Sequence, residues 1–205
     1  AILYVQSEGI VSGNPDGTYT PDVAITRAAF TKIIVESLGL DTEKLCRIAA
    51  FPDVGSDQWY YKYVMAARCA GLIAGYPDGT FKPGASINFV EMAKIVAEAF
   101  NLHATTDAEI WYKGYVLALE DRGAIPVQIT AFNDVITRGE MAEVVYRLHG
   151  SVYGKSSTTY VELSGEAHVE GEGSVDFNEE EFEDDFDFDD FTFEDEEFSE
   201  NEFEF

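Results

Sequence analysis

A stretch of 26 residues occurs twice in this chain. Residues 9–34 read GIVSGNPDGTYTPDVAITRAAFTKII, and residues 71–96 read GLIAGYPDGTFKPGASINFVEMAKIV, aligned without a gap at an offset of 62. A third copy is more worn. WYYKYVMAARCAGLI at 59–73 matches WYKGYVLALEDRGAI at 111–125, and INFVEMAKIV at 87–96 matches ITRGEMAEVV at 136–145. Its connecting loop is three residues shorter and lacks the Pro-Asp-Gly turn. Repetition at this period constrains the fold more than any local signal. One unit cannot bury its own apolar face, so the copies must pack on each other, and about three are needed.

Each copy reads as helix, loop, helix. The first helix of the middle copy is expected over roughly 58–70, with Trp59, Tyr63, Ala66, Ala67 and Ala70 on one face. Gly71 suits the end of that helix, because glycine alone adopts positive φ cheaply. Tyr76-Pro77-Asp78-Gly79 is a turn: Pro77 fixes φ and Asp78 can bond its own backbone. The second helix is expected from about Val90, with Met92, Ile95, Val96 and Phe100 buried. Phe30, Ile33, Ile34 and Leu38 take that role in copy one, and Met141, Val144, Val145 and Leu148 in copy three.

These helices begin on recognisable caps. Thr137 and Glu140 form a capping box, in which the hydroxyl takes an amide three residues on and the carboxylate reaches back. Asn88 and Glu91 keep the logic, whereas Thr26 is followed by Ala29 at the return position. Arg27 and Arg138 are not explained by capping. A cation in the first helical turn opposes the helix dipole by a few tenths of a kcal/mol. It gains a reason if an anion binds there, since guanidinium offers a carboxylate a planar fork. In copy two the position is Phe89, which leaves a groove without an anion contact or one that reads something apolar.

In order and residue type, FPDVGSDQWYYKYVMAARCAGLIAGYPDGTFKPGASI at 51–87, ITRAAF at 25–30 and ITRGEMAEVVYRL at 136–148 resemble the S-layer homology family. The likeness covers roughly residues 1–150, divided at about 1–45, 46–103 and 104–150. It implies a mainly helical fold of helix-loop-helix repeats packed as a pseudo-threefold bundle. It also implies non-covalent attachment at the extracellular cell surface, through an anionic wall glycan (pyruvylated polymers among them) or peptidoglycan. Its best-known ligand residue is the arginine of an Ile-Thr-Arg-Ala-Glu motif, which falls on Arg27 and Arg138. Trp59 and Trp111 join them as candidate glycan contacts, since indole faces stack on sugar rings as well as pack in cores. Asp16 and Asp78 of the turns are included too. One acid per turn is too few hard oxygens for an independent calcium site. The competing role is that of a structural subunit in a surface layer or filament.

Charge divides the chain. The net charge is −26, yet residues 1–155 hold all 13 Lys and Arg against 18 acids, and residues 156–205 hold 21 acids and no base. Phosphate binding needs cations, so nucleic acid is an unsuitable partner. No apolar run approaches the ~18 residues of a membrane-spanning helix. The chain starts at Ala1 with no secretory signal, and Ala1 aligns with Tyr63, so copy one reads as cut at its front. Cys46 and Cys69 fit no metal spacing and are either two small buried side chains or a disulfide. The histidines lie in different segments and no phosphate loop is present, so no catalytic constellation is expected. Residues 151–175 read as a linker or weak strands. Residues 176–205 combine 17 acids with 9 Phe, a composition that fits disorder, or order induced by calcium, a basic partner or self-assembly.

Overall fold

A computed structural model describes residues 1–165 apart from 15, 45 and 106–108. The acidic tail, with its expected calcium and partner contacts, lies outside the described residues. Among the described residues seven helices follow in order: α1 (Ile2–Ser7), α2 (Arg27–Ser37), α3 (Tyr61–Cys69), α4 (Phe89–Ala99), α5 (Lys113–Asp121), α6 (Arg138–His149) and α7 (Tyr160–Ser164). The described chain is mainly helical, as the repeats require.

The copies close into a ring. The first helix of each copy packs on the second helix of the copy before it: α3 on α2, α5 on α4, and α1 back on α6. Tyr4 and His149 fasten the closing joint, with the phenol oxygen 2.8 Å from Nδ1. At the centre the backbone repeats the circle. Ile25 N donates to Ile136 O at 2.9 Å, Ile136 N to Ile87 O at 3.0 Å, and Ile87 N to Ile25 O at 3.4 Å. All three isoleucines are buried. Their position is the same in each copy, so a threefold arrangement of chain segments follows from threefold sequence.

Each second helix then leaves the ring on an equivalent hydrogen bond. Arg27 N donates to Ala85 O, Phe89 N to Asp134 O, and Arg138 N to Val23 O. Caps fix the starts. Asn88 with Glu91 and Thr137 with Glu140 form complete boxes, and Thr26 accepts from Ala29 N alone. Most of the expected stripes are buried: Phe30, Ile33 and Ile34 on α2, Met92, Ile95 and Val96 on α4, and Met141, Val144, Val145 and Leu148 on α6. Leu38 and Phe100, expected with them, are C-cap residues and only partly buried. Side chains of this size stabilise by about 1.5–3 kcal/mol each when fully buried.

Three expectations need correction. Helix α3 starts at Tyr61, two residues after Trp59, so Trp59 is outside the helical register. The packed face is Val64, Ala66 and Ala67, while Trp59 and Ala70 are exposed. Phe89 does not line a groove. It is fully buried in the shared core, which rules out an apolar reader at that position. Residues 160–164 are neither linker nor strand. Thr159 and Glu162 make a third capping box, Gly165 ends α7 at φ +71°, and Tyr160 and Leu163 are buried in the core. Helix α7 packs on α5, and Glu120 accepts the Tyr160 amide at 2.7 Å.

The question of the cysteines is resolved. Cys46 and Cys69 form a disulfide with Cα atoms 6.0 Å apart, tying the loop after α2 to the end of α3. A loop of this length closed by a disulfide gains about 3 kcal/mol from the restricted unfolded chain.

Candidate functional site

The two arginines of the helix starts are held in the same way. Arg27 Nε donates to Phe81 O at 2.9 Å, and Arg138 Nε donates to Tyr19 O at 2.8 Å. Tyr19 and Phe81 are themselves repeat counterparts at the offset of 62. Each guanidinium also lies over the ring of that residue, 5.1 Å from Phe81 for Arg27 and 4.7 Å from Tyr19 for Arg138. Each arginine therefore reaches out of its own copy onto the loop of the next. Among the described residues no hydrogen bond reaches the Nη atoms of either.

The Phe81 loop that receives Arg27 is itself pinned. Asp53 of the Phe-Pro-Asp-Val element accepts the amides of Phe81 and Lys82 at 2.9 and 2.7 Å. That gives the element a physical role: its carboxylate sets the height of the carbonyl that fixes Arg27.

Arg27 is 5% exposed and lines a cavity of about 130 Å³ with Gly75, Glu91, Lys94, Glu98 and Trp111. Tyr76 covers one guanidinium face at 4.5 Å. Its hydroxyl donates to Glu91 Oε1 at 2.9 Å, and the same carboxylate stands 3.7 Å from Arg27 Nη1. Burial, opposed by Arg27 and reinforced by Glu91, pushes the Tyr76 phenol up to about 12, so it remains a donor at neutral pH. Burial also raises the Glu98 carboxyl, against the pull of Lys94 and Tyr115.

The remaining candidates are placed as follows. Trp111 lines the cavity and meets Tyr112 edge-on at 5.5 Å. Trp59, its repeat counterpart, is 57% exposed. Asp16 and Asp78 sit in the turns. Each Oδ1 takes the amide and hydroxyl of the threonine two residues on, at 2.9 and 2.6 Å. Those hydrogen bonds, the hydroxyl's first, hold both carboxyls below the usual range. Thus the structure gathers Arg27 and Trp111 in one cavity, and leaves Asp16, Asp78 and Trp59 outside it. Sequence reasoning missed Tyr76, Glu91 and Lys94. Their signal was faint, because each lies far along the chain from the arginine it surrounds.

A wider groove of about 800 Å³ runs between copies three and one, lined by Asp22, Gly139, Glu140, Glu143, Arg147 and Lys155 among others. Its cations are already engaged. Arg147 bonds Glu143 and the carbonyls of Gly123, Ile125 and Ser156, and Lys155 pairs with Glu143.

The S-layer homology domain model matches residues 1–31 and 50–93. A cellulosome-anchoring protein of Acetivibrio thermocellus is 33% identical over 141 residues, covering 66% of this chain and 28% of that protein. An exoglucanase of the same species is 33% identical over 165 residues, covering 72% and 15%. An S-layer protein of Bacillus thuringiensis subsp. finitimus is 33% identical over 102 residues, covering 50% and 12%. The chain thus spans less than a third of each of these relatives. Repeats, closed ring and matched segments together place the chain in the S-layer homology domain family.

Proposed function

We propose that this module anchors the protein bearing it to the bacterial cell wall, by holding an anionic wall glycan at Arg27 and Arg138. The observation that carries the reading is the state of the two guanidinium groups. Each is fixed by its Nε and an aromatic ring, while its Nη donors have no hydrogen-bond partner among the described residues. A guanidinium so prepared is oriented before the ligand arrives, and a carboxylate on a sugar, such as a pyruvate ketal, meets two parallel donors. Trp111 offers the sugar ring an apolar face beside Arg27, and Trp59 is its counterpart in the repeat. The relatives named for anchoring and for surface layers support a role at the cell surface, outside the membrane. No described helix is long and apolar enough to cross a bilayer.

The test is sedimentation of the full chain with purified wall sacculi, with and without their secondary polymer. The Arg27→Ala/Arg138→Ala double variant should lose at least about tenfold in wall affinity, with helicity unchanged by circular dichroism. Undiminished binding by that variant would defeat the reading. It would favour the other role, a surface-layer subunit held by protein contacts.

A further inference from the structure

The two arginines are equivalent by the repeat and unequal in their surroundings. We infer that Arg138 is the primary carboxylate acceptor, and that Glu91 acts as a resident competitor at Arg27. The inference rests on the anion-binding reading above and adds which site the anion enters first.

The rotation that carries Arg27 onto Arg138 carries copy two onto copy one. Phe81 becomes Tyr19, and the Nε bond is preserved. Under the same offset of 62, Glu91 becomes Ala29 and Tyr76 becomes Asn14. So the groove at Arg138 lacks both the carboxylate and the phenol that occupy the groove at Arg27. Asn14 does not replace them, because its amide nitrogen is engaged by the hydroxyls of Thr18 and Thr20 at 2.9 and 3.2 Å. Among the described residues, no carboxylate comes within ion-pairing distance of Arg138.

Glu91 is held where it stands. Its Oε2 accepts the Asn88 amide at 3.1 Å as half of the α4 cap, and its Oε1 accepts the Tyr76 hydroxyl at 2.9 Å. It lies 3.7 Å from Arg27 Nη1 in a pair whose side chains are 6% and 16% exposed. A sugar carboxylate arriving at Arg27 meets a fixed negative charge at close range with little solvent to screen it. At Arg138 no carboxylate of the described residues stands within ion-pairing distance. The difference in charge comes from one position of copy one, beside the loss of the phenol at Asn14: Ala29 stands where a complete capping box places glutamate. The incomplete box and the open arginine share that cause.

The test follows the Arg Nε–H signals of the full-length, ¹⁵N-labelled chain during titration with sodium glucuronate, a carboxylate-bearing sugar. Methyl glucoside is the uncharged control, and Arg27→Lys and Arg138→Lys assign the two signals. Glucuronate should bind at Arg138 with a Kd about tenfold below that at Arg27. Ala29→Glu should raise the Kd at Arg138 about tenfold and leave Arg27 unchanged. Glu91→Gln, which keeps a capping side chain, should lower the Kd at Arg27. Equal affinities, tighter binding at Arg27, or an Ala29→Glu chain that binds as before would overturn the ranking. If wall binding still depends on the arginines in that event, only the ranking falls. If neither signal moves and the double alanine variant still binds wall, the ranking and the anion reading fall together.

Discussion

Arg27 and Arg147 are each 5% exposed, yet they are provided for differently. Arg147, near the end of α6, gives its Nε to Glu143 and its Nη1 to the carbonyls of Gly123, Ile125 and Ser156. It ties copy three to the segment leading into α7. Arg27, at the start of α2, has one hydrogen bond through Nε and a carboxylate at 3.7 Å. Burial alone therefore says little about what a charged side chain is for. A buried arginine whose Nε and Nη1 are taken up by a carboxylate and backbone carbonyls is a clamp, and one with both Nη groups left over beside a cavity is prepared for a ligand.

Phe89 extends the comparison to a helix start with no charge at all. It makes the same backbone hydrogen bond as Arg27 and Arg138, but its ring is fully buried. Phe89→Ala should therefore have the largest effect on stability, about 3–5 kcal/mol from lost burial and the cavity left behind. Urea denaturation measures it. A loss below about 1 kcal/mol would mean that the core closes over the gap and that this position matters less than its burial indicates.

Arg147→Ala comes next. It removes the partner of Glu143 and leaves the carbonyls of Gly123 and Ser156 without their donor, while Ile125 O keeps the Thr158 amide and Ser157 hydroxyl. The loss should be about 2–3 kcal/mol. The figure is below that of a fully isolated buried charge because Lys155 remains on Glu143. Wall affinity of the folded fraction should not change. Arg27→Ala should show the reverse, a stability loss of about 1 kcal/mol with weakened wall binding. If both variants lose stability equally and neither loses binding, the distinction between clamp and prepared site fails.

Legibility in the sequence followed the range of each interaction. Caps, turn residues and apolar stripes depend on neighbours within four positions, and Asn88 with Glu91, Gly71, and Met92 with Val96 were all readable. That the copies pack on one another was readable from the repeats, which left stacking and circular closure both open; the threefold bundle came from the family resemblance. Trp59 was misplaced because apolar spacing says where a helix face lies and not where the helix begins. The α7 box was present as Thr159 and Glu162, but the glycines around it drew the reading towards strand or linker. Phe89 was read by its alignment with Arg27, when its spacing to Met92 and Val96 already placed it on the buried stripe. The partners of Arg27 were beyond reach: Phe81 and Glu91 lie more than fifty residues away, and only the closed ring brings them to the guanidinium. The disulfide needed the fold for the same reason.

The smallest effect concerns the caps, and it separates folding from binding at one position. Thr137 Oγ1 accepts the Glu140 amide at 3.2 Å, while the Glu140 carboxylate accepts the Thr137 amide at 2.7 Å. Thr26 accepts from Ala29 N at 3.3 Å and receives nothing back. Thr137→Ala should cost about 1 kcal/mol, and Thr26→Ala about half as much, because half of the reciprocal arrangement is missing. Thermal melts resolve that difference, and equal losses would show that the return carboxylate adds nothing. If the glutamate does add stability, Ala29→Glu should raise that of copy one by a few tenths of a kcal/mol. The same change is expected to weaken carboxylate binding at Arg138. A better helix start would then make a poorer site, which gives a physical reason why copy one keeps an alanine where the other copies have glutamate.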